Sequence, residues 1–243
     1  REITALEKLH FYPQVPQLLD YFESDREFYL VQEYIAGQPL SQLMPPAAAK
    51  WSQQQVIQLL YEVLSILEIV HSQGLIHRDL KPSNIIRRAS DGRLVLIDFA
   101  SVKQAWTQVF TRTGQSEHPP ATIAIGTPGY MPTEQGRGRP QPNSDIYALG
   151  TIAIQALTGM NPSQLMEQSD NGELEWRQHA QVSEGLGAVV SKMVRYNSKN
   201  RYQTAVAALV ALRQLVNFPT LLQSGKGIQS LAPSSLQQSL DEK

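Results

Sequence analysis

The sequence predicts an α+β chain in which strands gather near the N-terminus and the remainder is mainly helical. Three observations carry that expectation. The run "FYLVQEYI" is aromatic and β-branched, and Gly37 and Pro39 then punctuate it. Beyond it, Val56, Leu59, Leu60, Val63, Leu64 and Leu67 recur at helical spacing. A later apolar run, "RLVLIDFA", follows an Asp91-Gly92 turn signal and reads as a buried strand.

Taken in order, "REITALEKL" opens the chain as a short helix, followed by the strand-like run. Ser52 with Gln55 three residues on is a capping-box start, and the helix it opens should end near Gly74. A polar cluster, "HRDLKPSN", separates that helix from the next strands. From Ser101 to Arg139 the chain is rich in Thr, Gln, Pro and Gly with little periodicity, which inside a compact domain marks a functional or disordered loop. "SDIYALGTIAIQAL" is apolar nearly all round, so it is expected as a helix buried on several faces and stopped at Gly159. Two further helices are expected at about 182–195 and 204–215, and the stretch from Asn217 has the Ser, Gln and Gly content of a tail or linker.

Composition excludes several functions. The chain has 243 residues, 42% of them hydrophobic, enough for one large or two smaller packed units. A formal net charge of −1 with scattered basic residues gives no electrostatic footprint for nucleic acid, so no DNA or RNA partner is expected. Without cysteine there is neither a disulfide framework nor a thiolate metal site, which fits a cytoplasmic location. The longest apolar-rich segment, Val56 to Val70, is interrupted by Gln58, Glu62 and Glu68, and no membrane segment is expected within this chain. The chain starts at Arg1 rather than Met with no secretory pattern behind it, and it reads as a piece of a longer protein.

"HRDLKPSN" concentrates Arg78, Asp79, Lys81 and Asn84 around one proline. Alone, it is either a polar turn whose Asp and Asn bond their own backbone or a catalytic cluster. It matches the pattern H-R-D-L-x-x-x-N, and "LIDFA" follows on a strand where D-F-G would stand. "GTPGYMPTEQ", "DIYALG" and Arg201 follow in the same order as the end of an activation segment, the opening of a large buried helix and a late arginine. With these motifs the chain resembles a eukaryotic-type serine/threonine protein kinase of the bacterial branch, from Arg1 to about Leu215.

The resemblance implies a two-lobed protein-kinase-like fold: residues 1–36 a truncated N-terminal lobe, residues 37–216 a mainly helical C-terminal lobe, and residues 217–243 a polar tail. It implies ATP and Mg²⁺ as cofactors and protein substrates as partners. Asp79 would orient the substrate hydroxyl and accept its proton, Lys81 would stabilise charge on the moving phosphoryl group, and Asn84 and Asp98 would ligate Mg²⁺. Thr127 would hydrogen-bond near Asp79 and Lys81. Gln32 would stand at the back of the adenine pocket, Glu33, Tyr34 and Ile35 would present the hinge backbone to the adenine edge, and Glu2 would pair with a nucleotide-binding lysine. Glu134, Asp145 and Arg201 would be architectural, and His77 would pack in a hydrophobic spine. Arg78, beside the base, would take anionic company from a phosphate on the long loop, with Thr111, Thr113, Ser116 and Thr122 as candidate acceptors.

Two departures bear on these implications. The sequence contains no glycine-rich loop or "VAIK"-like strand lysine, so the isolated chain is expected to bind ATP poorly and to transfer little phosphate. Ala100 stands where the family has glycine, adding a Cβ where the backbone would otherwise be freer. Three functions of different classes follow: a signalling serine/threonine kinase, the reading adopted; a catalytically impaired, pseudokinase-like scaffold; and a small-molecule phosphotransferase. The last shares the Asp-to-Asn spacing but is not expected to carry "GTPGYMPTEQ" and "DIYALG".

Overall fold

The computed structural model describes residues 9, 11–24, 27–46, 48–99 and 126–215. The first strands are β1 (Leu18–Ser24) and β2 (Glu27–Gln32), an antiparallel pair with Tyr21 opposite Leu30 and Phe22 opposite Tyr29. The Phe22 and Tyr29 rings stack at 5.2 Å, the cross-strand aromatic contact that favours this register. A register irregularity lies between Leu18 and Asp20.

The chain then enters the helical part through β3 (Gly37–Pro39) and a one-turn helix, α1 (Leu40–Leu43). The long helix α2 (Gln53–Ser72) starts at the expected capping box: the Ser52 hydroxyl accepts from the Gln55 amide at 3.3 Å, and the Gln55 side chain accepts from the Ser52 amide at 2.8 Å. Its apolar face buries Val56, Leu60, Val63, Leu64, Leu67 and Val70, and Gly74 leaves the helix with a left-handed φ of 75°. Strands β4 (Ile85–Arg88) and β5 (Leu94–Leu96) join β3 in an antiparallel sheet of order β3-β4-β5, with Ile85 opposite Leu96.

After a one-turn helix, α3 (Thr133–Gly136), comes α4 (Pro142–Thr158), which is buried along nearly its whole length and ends at Gly159 with φ 74°. Gly150 is required by packing: a Cβ there would lie 2.7 Å from Val194 Cγ1 and 2.9 Å from Met193 Cβ. A small hairpin of β6 (Met166–Glu167) and β7 (Leu174–Glu175) precedes α5 (Glu184–Met193) and α6 (Ala205–Gln214). Helix α2 packs against both α4 and α6, and α4 against α5, around one continuous core. Among the described residues no helix is long and apolar enough to cross a membrane.

The structure corrects the reading in three places. The strand expected over "RLVLIDFA" stops at Leu96, because Asp98 takes φ 63°, outside the strand region. The aperiodic stretch from Ser101 to Arg139 contains α3, a single turn too short to show a period. The β6–β7 hairpin was not expected, since two-residue strands carry no alternation to read. The opening helix is described only at Leu9; Ala100 and the four candidate acceptors on the long loop lie outside the described residues, as does the stretch after Leu215.

Candidate active site

The turn between α2 and β4 brings the polar cluster into a closed arrangement. Lys81 Nζ lies 2.8 Å from Asp79 Oδ2 and donates to Thr127 Oγ1 at 2.9 Å, while the Thr127 hydroxyl donates to Asp79 Oδ1 at 2.8 Å. Carboxylate, hydroxyl and ammonium thus form a ring spanning 48 residues of sequence. Asn84 Nδ2 donates to the Asp79 carbonyl at 2.8 Å and to Asp79 Oδ2 at 3.1 Å, fixing the carboxylate from the other side. Proline at the start of the 3₁₀ turn Pro82–Asn84 suits the local backbone, because its missing N–H is not needed there.

The ladder between β4 and β5 continues one step, with Ile97 N donating to the Asn84 carbonyl at 3.0 Å. Asn84 and Asp98 are therefore brought to the same end of the sheet by strand register. Beneath them His77 is fully buried and packs on Phe99 at 4.6 Å between ring centroids. Burial pushes the His77 imidazole below its ordinary 6.5, against the pull of Asp145 and a bond to Ile97. Its Nδ1 is 3.3 Å from the donor Asp79 N, so the neutral tautomer carries its proton on Nε2 and donates to the Ile97 carbonyl at 3.0 Å.

Arg78 has φ 68°, a left-handed backbone unusual for a residue with a Cβ. Asp145, 1% exposed, holds it there: Oδ1 accepts from Arg78 N at 3.0 Å, and Oδ2 accepts from His77 N and His71 Nε2, both at 2.9 Å. Burial by itself would raise the Asp145 carboxyl, but the His71 bond and the neighbouring amides hold it below the ordinary carboxylate range. The Gln135 side chain adds a bond to the Arg78 carbonyl.

The segment that carries Thr127 is tied down twice. Its turn closes through Tyr130 N and Met131 N to the Thr127 carbonyl at 3.1 and 3.2 Å, and the Tyr130 hydroxyl donates to Gln155 Oε1 at 2.6 Å. Burial pushes the Tyr130 phenol up to about 12, so it stays a donor. Further on, the fully buried Arg201 guanidinium forks onto Glu134 at 2.6 and 3.1 Å and also bonds the Arg195 and Tyr196 carbonyls.

At the other edge, Gln32 ends β2. Glu33 N donates to the Gln17 carbonyl at 2.8 Å, so that amide, one of those expected to face the adenine, is already engaged; Tyr34 is 88% exposed, and Ile35 is buried. Glu2 lies outside the described residues, so it is not placed. His71, Gln135 and Gln155 were missed in the sequence: each acts on a partner at least 25 residues away, and none belongs to a local pattern. Among the described residues, no three or more His, Cys, Asp or Glu cluster as a metal site.

Comparison with solved structures gives the class first. The PknI kinase domain of Mycobacterium tuberculosis matches with a TM-score of 0.64 at 21% identity, covering 88% of this chain and 76% of that one. PpkA-294 in its apo form matches with a TM-score of 0.64 at 23% identity, covering 87% and 72%. At such identities the likeness speaks for the two-lobed kinase fold. The family model "Protein kinase domain" matches residues 1–212, and this chain belongs to the protein kinase family.

The relatives narrow the branch. Serine/threonine-protein kinase B of Synechocystis sp. is 42% identical over 212 residues, 87% of this chain and 37% of the relative. Serine/threonine-protein kinase C of the same organism is 43% identical over 88% of this chain and 39% of the relative. Serine/threonine-protein kinase PknA of Nostoc sp. is 41% identical over 90% and 39%. The chain spans about two fifths of the length of these curated relatives.

Proposed function

We propose that this chain carries the catalytic centre of an ATP-dependent serine/threonine protein kinase, with residues 1–36 in the smaller lobe, 37–216 in the larger and 217–243 as a tail. The observation that carries the reading is the ring of Asp79, Thr127 and Lys81. Asp79 Oδ1 accepts one hydrogen bond, from Thr127, and a carboxylate oxygen has room for a second. A substrate Ser or Thr hydroxyl donating there would be oriented for attack, and Asp79 would take its proton as the new O–P bond forms and the bond from the γ-phosphorus to the bridging oxygen breaks, with ADP as the leaving group. Lys81, held by both neighbours, would set its side-chain nitrogen beside the oxygens of the transferred group.

Asn84 directs its amide hydrogens to Asp79, which leaves its carbonyl oxygen as an acceptor beside the register position of Asp98. One amide oxygen and one carboxylate are hard donors that fit Mg²⁺, an ion that keeps much of its shell for phosphate and water. When bound, Mg²⁺ would neutralise phosphate charge and ATP would supply the phosphoryl group. Gln32, Glu33, Tyr34 and Ile35 would border the adenine, Tyr34 and Ile35 through backbone groups, with Glu2 on the opening helix. Names of the relatives point to Ser and Thr as acceptors, and protein substrates, a signalling role and a cytoplasmic location belong to the same proposal.

The test uses the full-length protein, labelled ATP, Mg²⁺ and a panel of Ser/Thr peptides, Tyr peptides and small-molecule alcohols. Label on phosphoserine or phosphothreonine is the expected product. Label confined to small molecules, or no label with any acceptor, would contradict the proposal.

A further inference from the structure

The guanidinium of Arg88 joins the β4–β5 turn to a stretch of chain 75 residues earlier. Its Nε and Nη2 form a two-pronged bond to Asp91 at 2.9 and 2.6 Å, and its Nη1 donates to the Pro13 carbonyl at 2.7 Å. Asp91 is fixed in turn by Arg93 N at 3.1 Å, and the hydrogen bond from Arg88 holds its carboxyl down at about 2. Arg88 therefore meets a permanent anion on one side and a backbone carbonyl of the N-terminal part on the other.

Backbone bonds run parallel to this contact. Leu96 N donates to the Gln14 carbonyl at 3.0 Å, Ala89 N to the Ala36 carbonyl at 2.9 Å, and Glu33 N to the Gln17 carbonyl at 2.8 Å. Glu33 Oε2 also accepts from Gln17 N at 3.3 Å, so the 13–17 loop and residues 33–36 are joined by a second bond. The guanidinium thus bonds the 13–17 loop directly, and residues 33–36 are tied by backbone bonds to that loop and to Ala89, the residue after Arg88. Only a guanidinium can bond a carboxylate with two prongs and still direct another N–H to a carbonyl; a lysine has a single nitrogen and no fork.

We infer that Arg88 is a positioning residue that fixes the 13–17 loop and the hinge at 33–36 against the helical lobe and thereby sets nucleotide affinity. The inference rests on the proposed kinase reading for its nucleotide, although the strut itself does not. Arg88 touches no reacting group, so its loss acts on how tightly ATP is held rather than on the chemical step.

The test compares full-length wild type with Arg88→Ala and Arg88→Lys by hydrogen exchange, by Mg-ADP titration and by initial rates. The expected result is faster exchange at the amides of Glu33, Ala89 and Leu96 in both variants, with α2 and α4 unchanged. ADP Kd and ATP KM should rise roughly three- to tenfold, with kcat within about twofold and no rescue by lysine. Unchanged exchange at those amides in Arg88→Ala, or a fall in kcat with KM constant, would overturn the inference. So would full rescue by lysine. Loss of exchange protection in the variants beside a wild type that binds ADP but transfers no phosphate would sink the kinase reading and leave the strut standing.

Discussion

Replacing Asp145 by Asn tests whether one buried carboxylate sets the turn before Asp79. Asp145 accepts from three donors: Arg78 N on Oδ1, and His77 N and His71 Nε2 on Oδ2. An amide has one oxygen. If that oxygen takes the Oδ2 position, two bonds survive in neutral form and the amide nitrogen faces Arg78 N at about the original 3.0 Å, donor against donor. A hydrogen bond to a charged acceptor contributes about 1.5–3 kcal/mol and an orphaned buried N–H costs about 1–3 kcal/mol; the two overlap, giving about 2–4 kcal/mol. At about 2–4 °C per kcal/mol for a domain of this size, Tm should fall by roughly 5–15 °C. Arg78 would also lose the bond that offsets its left-handed backbone, worth about 1–2 kcal/mol, and Asp79 would move with it. Calorimetric melts with phosphotransfer rates at 25 °C supply the assay, and the rate should drop at least about tenfold while the protein remains folded. A Tm within about 2 °C of wild type together with an unchanged rate would refute the reasoning.

Three further outcomes are expected. Glu134→Ala strands the fully buried Arg201 guanidinium and should cost about 3–5 kcal/mol, with part of the loss recovered in the Glu134→Ala, Arg201→Met double variant; chemical denaturation measures both. Thr127→Val removes the hydroxyl shared by Asp79 and Lys81 and should lower kcat by roughly ten- to a hundredfold at similar Tm, read by steady-state kinetics. Stability should fall on acidification in two stages, followed by Tm against pH. His77 is pushed below 6.5 by burial, so below that value the unfolded chain binds a proton that the folded chain refuses, and stability present above about pH 6.5 declines. Asp145 and Glu134, held below 3.8 and 4.5, add stability present above those values and lost as pH falls through their lower folded pKa values. His77→Phe should remove the first stage and leave the second.

Local signals were the legible part of the fold. Ser52 and Gln55 announce α2 because a capping box is made by residues three apart, and Gly159 announces the end of α4 because a left-handed cap favours glycine. Asp79, Lys81 and Asn84 are legible as a group because one short turn carries them. What holds them is not legible. Thr127 reaches Asp79 across 48 residues, Asp145 reaches His71 across 74, and Arg88 reaches Pro13 across 75, so each pairing depends on tertiary packing that no local pattern encodes. The left-handed turns at Arg78 and Asp98 were hidden for a related reason: neither is a glycine, and each conformation is imposed by its surroundings.

The most direct test of the central claim is phosphoryl transfer from labelled ATP to a Ser/Thr protein substrate by full-length wild type and Asp79→Asn, with Mg-ADP affinity measured on both. The account predicts transfer by wild type, a loss of about a hundredfold or more in the variant, and ADP affinity unchanged within about twofold. Equal transfer by the two proteins would contradict the assignment of Asp79 as the base and, with it, the reading of the ring of Asp79, Thr127 and Lys81 as a catalytic centre.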